Sequence, residues 1–173
     1  MDADYIRRLT VQAIALDDEL MESMVLKGGN LLSLVYKLTD RASEDLDYSM
    51  ANMLATPAEL EVHQEKMEQA LKSRFNDEGM VVFDFTMEEK PRKISDKLKR
   101  FWGGYLVNFK VIDKTTYNKF EGDIDSIRRN AVTIGKNQST KLKIDISNHE
   151  YIEAASHMDG GIPKLVEIDV THF

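Results

Sequence analysis

Residues 24–50 read MVLKGGNLLSLVYKLTDRASEDLDYSM. Met24, Val25 and Leu26 make an apolar lead-in, and Gly28 and Gly29 a turn that permits close backbone approach. Asn30 can cap the amphipathic run 31–37 that follows. After a polar loop, Asp45-Leu46-Asp47 opens a second strand over 45–50. Side chains alternate across a strand, so Asp45 and Asp47 share one face while Leu46 points into the opposite layer. Two carboxylates held side by side repel each other unless a cation lies between them. A divalent metal resolves that conflict, and Mg²⁺, which prefers oxygen ligands, suits it.

On the N-terminal side, residues 4–23 place Ile6, Leu9, Val11, Ile14, Leu16 and Leu20 among charged residues, which predicts one packing helix. On the C-terminal side, Thr56-Pro57 is a helix start: an N-cap hydroxyl, proline at the first helical position, and acidic Glu59 and Glu61 where the dipole favours them. That helix should run to about Phe75. Residues 80–87 alternate and read as a strand. The next stretch, 88–100, is dense in charge, with Lys90, Arg92, Lys93, Lys97, Lys99 and Arg100. It reads as a solvated connection or, alternatively, as a groove edge for polyanions.

Residues 105–112 form another expected strand, introduced by Trp102-Gly103-Gly104. Trp102 and Tyr105 either stack a base or pack a core edge. Residues 115–131 predict a helix with Phe120, Ile124 and Ile127 on one face. Residues 141–147 alternate cleanly: Leu142, Ile144 and Ile146 face one way, Lys141, Lys143, Asp145 and Ser147 the other. Asp145 is thus a third acid on a polar strand face. Residues 165–170 look like one more strand.

A chain of 173 residues, 42% hydrophobic and 31% charged, fits one domain with a real core. No stretch approaches the roughly 18 apolar residues of a membrane span, and Met1-Asp2-Ala3-Asp4 lacks a signal-peptide layout, so a cytoplasmic location is expected. The absence of cysteine excludes disulfides, thiolate zinc sites and cysteine nucleophiles. A net charge of -7 argues against nonspecific coating of nucleic acid but leaves room for a local basic patch. His63, His149, His157 and His172 lack metal-ligand spacing with one another.

A glycine turn, a paired-carboxylate strand and a later strand aspartate, in that order, resemble the nucleotidyltransferase superfamily. More narrowly, VLKGGNLLSLVY followed by RASEDLDYS, with GGYLVNFKVI, RRNAV and QSTKLKIDIS further on, resembles the AbiEii/AbiGii-type nucleotidyltransferase toxins over nearly the whole chain. The resemblance implies an α+β nucleotidyltransferase fold, a mixed β-sheet flanked by helices, spanning 1–173 as a core domain. Family members usually continue into a helical region with a further lysine and acidic motif, which is expected to be absent here.

The resemblance further implies a Mg²⁺-dependent enzyme, with two ions and a nucleoside triphosphate as substrate. Asp45, Asp47 and Asp145 would be metal ligands and catalytic residues, with Asp47 bridging and Asp145 able to take the acceptor's proton. Gly28, Gly29 and Asn30 would present backbone N–H groups to the triphosphate. Lys27, Arg41 and Ser43 are further nucleotide-binding candidates. The expected function is the toxin of a toxin–antitoxin or phage-defence pair, with RNA, tRNA first, as acceptor and a cognate antitoxin as partner. A protein hydroxyl as acceptor, or a catalytically idle nucleotide-binding module, are the alternatives.

Overall fold

The computed structural model describes residues 2–27, 45–50, 54–91, 103–134 and 138–148. Helix α1 (Ala3–Ala15) starts at Asp2, whose side chain accepts from the Asp4 N–H at 3.2 Å. The single helix expected over 4–23 is interrupted: Asp17 is extended and caps a separate α2 (Asp18–Ser23), accepting from the Leu20 N–H at 3.0 Å. An aspartate that can bond nearby backbone N–H groups offers the chain an alternative to continuing the helix. Strand β1 (Met24–Leu26) follows directly, and β2 is Leu46–Met50.

Helix α3 (Pro57–Asp77) begins as its sequence dictates. The Thr56 hydroxyl accepts from the Glu59 N–H at 3.2 Å, and the Glu59 carboxylate accepts from the Ala55 N–H at 2.6 Å. Met67, Leu71 and Phe75, four apart, form its buried stripe. Strand β3 (Met80–Lys90) runs three residues beyond its expected end, and β4 is Gly104–Asp113.

The helix expected over 115–131 is two short ones, α4 (Lys114–Lys119) and α5 (Ile124–Arg129). Glu121 and Gly122, at φ 46 and 92, break the run, and Asp123 restarts it by accepting from the Asp125 and Ser126 N–H groups. Phe120 and Ile127 still pack together in one cluster, whereas Ile124 is turned out to solvent. Strand β5 is Leu142–Asn148. The strand expected over 165–170 lies outside the described residues.

The five strands form one mixed sheet in the order β1-β2-β5-β4-β3, with β2 and β5 parallel and the other neighbours antiparallel. Its back face carries Leu46, Tyr48, Val107, Phe109, Val111, Leu142, Ile144 and Ile146. Helices α1 and α3 close over it, with the Phe75 ring meeting Phe109 edge-on at 5.9 Å between centroids. At one end of the front face, Phe83, Ile112, Ile127 and Ala131 make a second small cluster beneath α4 and α5.

A bulge in β3 fastens that cluster. The β3–β4 register shifts between Phe83 and Thr86, and Asp84 takes φ 50. Its carboxylate accepts from Arg128 Nε at 2.7 Å, Arg128 Nη2 at 2.8 Å and Lys110 Nζ at 3.0 Å. The Arg128 guanidinium is the largest cause holding the Asp84 carboxyl down, to about 2. A depressed carboxylate contributes stability above its unfolded value near pH 4, which is lost as pH falls through about 2. Asn tolerates the same backbone conformation, so Asp84→Asn removes the charge alone. Discounting for the partly solvated arginine, the variant is expected to lose about 1 kcal/mol at pH 7, with the difference closing toward pH 2, as read by denaturant melts across pH.

Candidate active site

The pairing register assembles the polar front face. Leu46 is fully buried at the back, so Asp45, Asp47 and Ser49 belong to the front. Asp47 lies directly opposite Asp145 across the parallel β2–β5 pair. The same row continues through Leu106 on β4 to Glu88 on β3. At its other end Lys27 leaves β1 with its N–H on the Asp47 carbonyl, at 2.7 Å. The next row holds Ser49, Ser147, Gly104 and Lys90. On the opposite side of the carboxylate row stand Lys143, Asn108 and Thr86, and Lys143 Nζ is 3.6 Å from the Asp45 carboxylate.

These side chains are electrostatically coupled. Burial, followed by the Asp145 carboxylate, pushes the Asp47 carboxyl above its usual range; Lys27 and Lys90 pull it down and Asp45 adds to the rise. The Lys90 ammonium pairs with Asp145 Oδ2. Lys27 Nζ donates to the Ser147 hydroxyl at 3.3 Å, so its side chain runs over the front face beside the carboxylates.

Gly104 occupies the position between Lys90 and Ser147, where a Cβ would come within 1.9 Å of the Ile146 carbonyl oxygen and 3.2 Å of Ser147 Cα. Only glycine lets β4 approach β5 this closely.

Of the candidate residues in the sequence, Asp45, Asp47, Asp145 and Lys27 are brought to one face. Gly28, Gly29, Asn30, Arg41 and Ser43 lie outside the described residues, as does Trp102. Tyr105 is a core residue, 1% exposed, its hydroxyl accepting from the Leu54 N–H at 3.1 Å, which answers the choice between base stacking and core packing for that ring. Lys90, Lys143, Glu88 and Ser147 join the site without having been candidates for it. Carrying the β3 alternation two or three residues past Met87 places Glu88 and Lys90 on the polar face, which is the signal that could have found them.

The donor set is entirely oxygen, and its central carboxylate is one whose ionisation burial and two neighbouring acids oppose. Both properties fit a divalent, oxygen-seeking cation better than zinc. Among the described residues, however, no three such side chains already converge as a metal-holding group. Lysines stand on two of the three carboxylates instead.

A five-stranded mixed sheet flanked by helices, with carboxylates paired across its central parallel strands, is consistent with a nucleotidyltransferase-type fold. The family model for the nucleotidyl transferase AbiEii toxin of type IV toxin–antitoxin systems matches residues 11–161, and the chain belongs to that family. No curated protein matches the chain. The family is one of nucleotidyltransferases, which implies a nucleoside triphosphate substrate, a divalent metal and a cognate antitoxin. Among the described residues, no helix is long and apolar enough to cross a membrane.

Gly104→Ala tests the close approach of β4 and β5. The clash is with backbone, which cannot swing aside as a side chain would, so a loss of about 3 kcal/mol is expected in denaturant melts.

Proposed function

We propose that this protein transfers a nucleotide from a nucleoside triphosphate to RNA, tRNA being the first candidate, in a Mg²⁺-dependent reaction that serves a cytoplasmic phage-defence pair. The observation that carries the reading is the placement of Asp47 opposite Asp145, with Asp45 on the same sheet face. In the transfer, an acceptor hydroxyl oxygen bonds to the α-phosphorus, the bond from that phosphorus to the bridging oxygen breaks, and pyrophosphate leaves. Two divalent ions held by Asp45, Asp47 and Asp145 would shield the charge that gathers on the attacking and leaving oxygens.

The chain's own residues supply the rest. Asp47, between the other two acids, holds the centre of the site, and Asp145 receives the proton from the acceptor hydroxyl. Lys27 reaches along the front face from the strand that precedes Gly28-Gly29-Asn30 in sequence, and on this reading those residues would offer backbone N–H groups to the triphosphate tail. Arg41 and Ser43, just ahead of Asp45 in sequence, are the candidates for holding phosphate oxygens.

The choice of RNA rests on where the basic residues depart from the site. Lys90 stands on the carboxylate face, and Arg92, Lys93, Lys97, Lys99 and Arg100 follow it directly in sequence. A polyanionic acceptor bound along such a run loses affinity steeply with salt.

The protein is to be incubated with each labelled nucleoside triphosphate, Mg²⁺, and either total tRNA or cell protein. Label is expected in tRNA, and label in protein alone would move the acceptor to a hydroxyl side chain. Asp47→Asn and Asp145→Asn should each lower transfer about a hundredfold or more while leaving the melting profile near wild type. Full transfer by either variant would end the assignment of that residue. In filter-binding titrations, raising salt from about 50 to about 200 mM should weaken tRNA binding at least about tenfold, and replacing Lys97, Lys99 and Arg100 with alanine should flatten that slope.

A further inference from the structure

Asp145 Oδ2 already holds a cation, and that cation belongs to the chain. Lys90 is the last residue of β3, and its ammonium reaches past neighbouring β4 to pair with Asp145 on β5, two strands over. The reach is built in rather than incidental. The register sets Lys90 and Asp145 on the same face in adjacent rows, and position 104, between Lys90 and Ser147, carries no side chain. The pair is also accessible, with Lys90 45% and Asp145 32% exposed, so water can replace either partner during exchange.

The geometry points to Lys90 as an intramolecular counter-ion of the carboxylate face, one that a divalent cation must displace from Asp145 in order to bind. This rests on the reading of Asp45, Asp47 and Asp145 as the metal-holding acids. An ammonium and a divalent ion drawn to the same carboxylate repel each other, so Lys90 competes with the metal at this residue. Once displaced, the ammonium remains tethered at the end of β3, on the face where triphosphate and acceptor phosphates arrive. Lys90 acts through Asp145 and is therefore a positioning residue.

The test uses Mn²⁺ alone as the probe, with free ion counted by electron paramagnetic resonance at fixed ionic strength. Four proteins complete a double-mutant cycle: wild type, Lys90→Met, Asp145→Asn and the double variant. Lys90→Met is expected to bind Mn²⁺ about fivefold more tightly than wild type, the equilibrium worth of an accessible ion pair. Lys90→Arg, which keeps the charge, should stay within about twofold of wild type. In the Asp145→Asn background, Lys90→Met should change Mn²⁺ affinity by less than about twofold, because the competition runs through that carboxylate.

Tighter binding by Lys90→Met in the presence of Asp145, and not in its absence, is the supporting result. Unchanged or weaker binding by Lys90→Met overturns the inference while leaving the metal site intact. Equal tightening with and without Asp145 overturns it too, since that is a general loss of positive charge. If neither wild type nor Lys90→Met binds Mn²⁺, the metal-site reading itself fails and the inference falls with it.

Discussion

The parallel pairing of β2 with β5 forces two carboxylates together, and the apolar back of the sheet sets that pairing. Leu46, Tyr48, Ile144 and Ile146 are all at most 2% exposed. Burying each is worth about 1.5–3 kcal/mol, whereas like charges facing each other across a strand pair cost at most about 1 kcal/mol. Apolar burial outweighs the repulsion and decides the register. A slip of one residue would relieve Asp47 and Asp145 but turn the apolar side chains of the strand that moved toward the front. The repulsion is therefore retained in the folded protein, and groups that bring positive charge to the front face relieve it.

The same division of labour explains the helices. α1 and α3 attend to the back, where the hydrophobic area is, and their caps and apolar stripes suffice to place them there. α4 and α5 go to the front but only to one end of it, where Ile112 and Phe83 turn the front face apolar. The Asp84 bulge belongs to this arrangement. The extra residue at the bulge re-aims the strand, and its carboxylate ties β4 and α5 to β3 through Lys110 and Arg128. Polar rows and apolar cluster thus share one face of the sheet without overlapping.

Much of this was legible in the sequence, because alternation is a local property. Asp45-Leu46-Asp47 and Leu142-Lys143-Ile144-Asp145-Ile146 each declare which side chains face the front. That β2 and β5 are neighbours in register is a long-range fact. It came only through the family resemblance, and the strand order through the fold. Local capping defeated the two long helices: Asp17 and Asp123 bond the backbone that a continuous helix would have used, while the apolar spacing on either side hides the break. Lys90 was hidden differently. Glu88, Glu89 and Lys90 look like the start of a charged connection, yet they pair with Leu106, Tyr105 and Gly104 as strand residues. Charge density suggests a loop, although an edge strand with one solvated face carries charge readily.

Lysines interleaved with the acids resolve a conflict between folding and chemistry. A front face bearing only Asp45, Asp47 and Asp145 would be difficult to assemble and would repel a triphosphate. Lys27, Lys90 and Lys143 bring the local charge toward balance, and each reaches the site from a different strand or strand end. How tightly they hold matters as much as where they sit. The Lys90–Asp145 and Lys143–Asp45 pairs are between about one third and one half exposed, which keeps each within about 1 kcal/mol. Deeply buried, the same pairs would carry a desolvation cost, and breaking one would strand an uncompensated charge at about 3–5 kcal/mol. At the exposed front of a sheet whose register is fixed from behind, the acids can change partners without disturbing the fold. On the proposed function, a site that admits metal, triphosphate and acceptor in turn depends on that freedom.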